Sequence, residues 1–69
     1  MKQYVIKEVN ADRYFYRIYW KDRLEGISTS GQPINAEHFY KADADKYVES
    51  LNKGTKDFGL TYEVVRSSF

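Results

Sequence analysis

Apolar residues recur along the chain with two different periods, and the change of period divides it into elements. Between Ala42 and Lys53, Ala44, Tyr47, Val48 and Leu51 fall at i, i+3, i+4 and i+7, one face of an amphipathic helix. Asp43, Lys46, Ser50 and Lys53 take the opposite side. Two aspartates in the first turn and Lys53 in the last suit the helix dipole, and Gly54 stands where a left-handed cap would close the helix. Elsewhere the pattern alternates or breaks. Lys2–Val9 reads as a strand, Asn10–Arg13 as a hairpin turn, and Tyr14–Trp20 as the most β-prone run in the chain. Leu60–Arg66 reads as the last strand, with Leu60, Tyr62 and Val64 inward.

Two segments are less regular. Asp22–Pro33 holds two glycines, three hydroxyl residues and a proline, and reads as a long loop that Leu24 and Ile27 either anchor or pair as a short strand. Ile34–Tyr40 reads as a brief extended piece with Ile34, Ala36 and Phe39 inward. The predicted fold is α+β: a mostly antiparallel sheet of three to four strands, β-β-(β)-α-β, with one helix packed on one face. The final strand is expected beside the first. The other face of the sheet is expected to stay wet.

The second strand offers two faces. Tyr14, Tyr16, Ile18 and Trp20 form the more apolar one and are taken as the core face. Phe15, Arg17, Tyr19 and Lys21 then form a candidate binding surface on the open side. Rings and cations alternating on a strand suit single-stranded nucleic acid, where bases stack on aromatics. The same residue types are enriched at protein–protein hot spots. The formal net charge of +1 favours a protein partner, either a second copy or a host protein, over nucleic acid.

Size sharpens the picture. A chain of 69 residues forms one domain, 1–69, that buries only about 60% of its unfolded surface. Seven tyrosines, four phenylalanines and one tryptophan supply large side chains for so small a core. With no cysteine there is neither a disulfide framework nor a thiolate zinc site, and dimerisation is a natural substitute for such staples. No signal-peptide pattern follows Met1 and no apolar run has the length of a membrane span, so the chain reads as cytoplasmic, with no membrane partner.

Nothing in the sequence assembles into catalytic, metal or cofactor chemistry. His38 is the sole histidine and has no neighbouring ligand set; nothing in the spacing places it beside Ser28, Thr29 or Ser30 as a base. Asp43 and Asp45 are two apart on a helix and point to different sides, so with Glu37 and Glu49 they read as capping and solvation. Gly26–Gly31 lacks the lysine of a phosphate-binding loop.

Taken together, the strand Tyr4-Val5-Ile6-Lys7, the aromatic second strand, the Ala36-to-Phe39 step, the helix bearing Ala44, Tyr47, Val48 and Leu51, and the closing strand Tyr62-Glu63-Val64-Val65 resemble the small orphan proteins of bacteriophages and prophages. The resemblance spans most of the chain but departs at Asp22–Pro33. It implies a phage or mobile-element origin and a host-directed binding role, and it transfers no catalytic residue. The expected function is a non-enzymatic protein-binding module, a host-directed inhibitor or a homodimer. The alternative is single-stranded nucleic-acid binding through Phe15, Arg17, Tyr19 and Lys21.

Overall fold

The computed structural model describes residues 1–68. Strands β1 (Tyr4–Glu8), β2 (Arg13–Trp20) and β3 (Arg23–Ser30) are followed by helix α1 (Lys41–Thr55) and strand β4 (Tyr62–Arg66). The four strands form one antiparallel sheet in the order β3-β2-β1-β4. The fold is α+β, with β4 returning after the helix to lie against the whole of β1, from Tyr4↔Arg66 to Glu8↔Tyr62.

The segment read as a loop is largely strand. Lys21 (φ 48°) and Asp22 (φ 63°) both adopt left-handed backbone, the pair of conformations that lets two residues reverse an antiparallel hairpin with the right twist. Trp20↔Arg23 closes the hairpin and the pairing runs on to Tyr14↔Ser30, with an irregularity between Ile18 and Tyr19. The β1–β2 connection uses Asp12 at φ 49° in the same way, and Lys7 Nζ reaches the Asp12 carboxylate at 2.8 Å across it.

The helix face is the one its period predicts. Ala44 and Leu51 are buried, with Tyr47 and Val48 packed beside them, against Ile6 and Phe15 of the sheet and against Phe39. The predicted cap is displaced. Gly54 lies inside the helix, a 3-10 turn over Lys56–Phe58 extends it, and Gly59 (φ 72°) is the left-handed residue. Thr55 carries the chain past Gly54: its hydroxyl donates to the Leu51 carbonyl at 2.8 Å, and that oxygen also lies 3.2 Å from the Leu60 carbonyl. Asn52 docks the helix on β4 by mimicking a strand partner, its amide donating to the Tyr62 carbonyl (3.1 Å) and accepting from the Tyr62 N–H (2.8 Å).

The face of β2 is the reverse of that read from its apolarity. Phe15 is 1% exposed under the helix, while Ile18 and Trp20, taken as core, are exposed and Tyr14 and Tyr16 are half-buried on the other side. The cause is what lies on the helix side. The Phe15 ring meets Tyr47 at 5.3 Å and Phe39 at 6.2 Å between centroids, in tilted arrangements within the favourable range for aromatic pairs. Ile34 is likewise turned outward, 85% exposed on a 3-10 turn (Pro33–Asn35), whereas Ala36 and Phe39 are buried as expected.

Candidate functional site

Strands β1 and β2 pair only at Lys7↔Tyr14 and Glu8↔Arg13, and then separate. The segment Ala36–Phe39 fills the gap. Phe39 exchanges two backbone hydrogen bonds with Tyr4 (2.7 and 3.1 Å), and the Glu37 N–H donates to the Phe15 carbonyl at 3.1 Å. The Glu37 carboxylate accepts from the backbone N–H of Arg17 at 2.9 Å and from its guanidinium through both oxygens, at 2.9 and 3.1 Å from Nε and in closer contact from Nη2. A single side chain thus stands in for the missing strand partner and neutralises the arginine.

Arg17 packs among rings, with its guanidinium carbon 5.0 Å from the Phe39 centroid, 5.1 Å from Tyr47 and 5.7 Å from Tyr19. The hydrogen bonds it donates to Glu37, and after them the carboxylate's charge, hold the guanidinium firmly protonated against the opposing effect of burial. Burial works to raise the Glu37 carboxyl, but hydrogen bonds and charge from Arg17 outweigh it and keep that carboxyl below its usual range. Glu37→Gln is therefore expected to cost about 1–3 kcal/mol at pH 7, the worth of hydrogen bonds to a charged group. Because the folded-state carboxyl is depressed, this stabilisation is complete above the unfolded value near pH ~4.3 and disappears as pH falls through the folded one. Urea melts at neutral and at strongly acidic pH should show the gap between wild type and variant closing on acidification.

Beyond this strap the β2–β3 hairpin continues as a two-stranded arm with no third strand beside it. It carries Ile18, Tyr19, Trp20, Leu24 and Ile27, each between 44% and 65% exposed. Of the residues read as a surface on β2, Phe15 is core and Arg17 is committed to Glu37; Tyr19 lies on the arm and Lys21 in its turn. The proposed nucleic-acid platform is thereby reduced to Tyr19 and Lys21. Trp20, Leu24 and Ile27 were missed as surface residues. Their signal was the β-prone run Tyr14–Trp20 followed after two residues by Arg23-Leu24-Glu25, a hairpin spacing without the usual Asn-Gly or Asp-Gly.

The remaining polar features separate. His38 Nε2 and Ser67 Oγ share a hydrogen bond of 3.0 Å, joining the strap to the end of β4. Asp45 pairs with Lys41 at 2.9 Å and Glu49 with Lys53 at 3.7 Å, both i,i+4 pairs on the helix surface. Among the described residues no three of His, Cys, Asp and Glu converge as a metal set. No described helix is long and apolar enough to cross a membrane.

No protein-family model matches this chain, and no curated protein or solved structure is significantly similar to it.

Proposed function

We propose that the chain is a non-enzymatic binding module that grips a protein partner, a second copy or a host protein, with the β2–β3 arm. The observation that carries this reading is the concentration of large apolar side chains on an arm that has only two strands. Trp20 is 65% exposed and shares a face with Ile18, while Tyr19, Leu24 and Ile27 lie on the opposite face by the ladder register. Scattered exposed apolar residues are ordinary on a protein surface, but several on both faces of one short arm, within a charged rim, suit an interaction surface. Lys21, Arg23 and Glu25 provide such a rim. Tryptophan, tyrosine and arginine are the residues on which binding energy most often concentrates. The phage-type resemblance of the sequence fits a host-directed partner, and the small core fits self-association.

The test is affinity capture from host lysate, with and without nuclease, together with sedimentation at micromolar concentration, for wild type and Trp20→Ala. Trp20 contributes little to the core, so the variant should melt almost as wild type. A nuclease-resistant complex or a dimer that weakens at least tenfold in Trp20→Ala, a loss of about 1.4 kcal/mol, supports the reading. A complex abolished by nuclease points to nucleic acid. A complex or dimer indifferent to Trp20→Ala removes the arm as the surface, and a clean monomer without a captured partner counts against protein binding.

A further inference from the structure

The strap that carries Glu37 also forms one wall of an open, basic depression, through His38 and Phe39. One pocket of about 240 Å³ is lined by Lys2, Arg17, His38, Phe39, Tyr40, Asp43, Lys46 and Tyr47. A second, of about 180 Å³, is lined by Lys2, Gln3, His38, Arg66 and Ser67, so the two share Lys2 and His38. Three chain segments far apart in sequence bring cations here: Lys2 before β1, Lys46 on α1 and Arg66 at the end of β4. None of the three takes part in an ion pair among the described residues. Arg17 is already balanced by Glu37, and among the described residues Asp43 is the one carboxylate in either lining.

The surplus is therefore about two positive charges in a chain whose formal net charge is +1. Convergent cations of this kind raise the local concentration of anions. A phosphate monoester carries about −1.5 to −2 at neutral pH, which matches that surplus, and it offers three acceptor oxygens. Gln3, His38 and Ser67 add polar groups to the lining. The rings of Tyr40 and Tyr47 form the other wall, with Lys2 Nζ held 5.6 Å from the Tyr40 centroid. Each pocket falls below the ~300–1,000 Å³ usual for drug-sized ligands, which limits the occupant to a small molecule.

We infer that this depression binds a small phosphate monoester, its phosphate at Lys2, which both linings share, flanked by Lys46 in one and Arg66 in the other, and its attached ring against Tyr40 and Tyr47. The experiment is an amide-resolved NMR titration of the full chain with phenyl phosphate and, separately, with inorganic phosphate. Phenyl phosphate should shift the resonances of His38, Lys46 and Tyr47 saturably, and inorganic phosphate should bind several-fold more weakly because it lacks the ring. The double variant Lys46→Ala with Arg66→Ala should bind at least tenfold more weakly. Lys56→Ala, which removes an exposed cation that lines neither pocket, should bind as wild type. All three are surface residues, and the dispersion of the same spectra reports whether each variant is folded. The inference fails if no saturable shift occurs up to about 10 mM, a threshold already weaker than most specific binding. It also fails if the double variant and Lys56→Ala behave alike, or if inorganic phosphate binds as tightly as phenyl phosphate.

Discussion

Phe15→Ala should be the most damaging single substitution in the chain, costing about 3–5 kcal/mol. Phe15 is 1% exposed and its ring contacts both Phe39 and Tyr47, so truncation leaves a cavity where strand, strap and helix meet. A domain of 69 residues has a total stability of roughly 3–10 kcal/mol at the usual 0.05–0.15 kcal/mol per residue. The variant is therefore expected to lose much or all of its cooperative urea transition. Tyr16→Ala, one residue along on the opposite face, provides the control. Tyr16 is only half-buried and lies outside the packed cluster, so it should cost clearly less. Equal losses at the two positions would mean that β2 faces the helix differently from the description above.

Leu51→Ala should follow closely, at about 2–5 kcal/mol. Leu51 is 9% exposed in the same cluster as Ile6 and Phe15, on the second half of α1, where Asn52 fixes the helix to β4. That fixed geometry limits how far the helix can settle into the vacated space, which keeps the loss from shrinking to the transfer free energy alone. A urea midpoint that moves while the slope stays constant would assign the loss to the folded state's packing. A shift below ~0.5 kcal/mol would show that the helix is held by Ala44, Tyr47 and Val48 without it.

The two substitutions also separate the parts of the fold that were legible at different levels. Leu51 was identifiable as core because the helix has a clean period and one apolar side, so its orientation needs no partner to be specified. Phe15 was placed on the wrong face because both sides of Tyr14–Trp20 carry aromatic residues, and a count of apolar side chains favours the side with Tyr14, Tyr16, Ile18 and Trp20. Hydroxyl-bearing tyrosines tolerate a half-wet face, whereas phenylalanine gains only from burial, and that difference is small beside the choice of what packs above the strand. The exposure of β2 was misread for the same reason. Once Phe15 and Arg17 turn toward the helix, exposure passes to the arm, to Trp20, Leu24 and Ile27.

What the sequence by itself determined is the local and periodic part of this protein. It specified a helix with Ala44, Tyr47, Val48 and Leu51 inward, strands around Tyr4–Lys7 and Tyr62–Val65, and an α+β architecture with the last strand beside the first. Periodicity and turn residues act within a few positions, so they can be read there. Tertiary structure decided three further things. It made a strand of Arg23–Ser30, because a Lys-Asp turn with two left-handed residues becomes favourable only when a full ladder forms behind it. It turned Phe15 and Arg17 inward, because Phe39, Tyr47 and Glu37 arrive from positions twenty or more residues later to cover them. And it placed Lys46 and Arg66 in two pockets that share Lys2 and His38, which no spacing can announce, since chain segments this remote meet only where the sheet and helix bring them together.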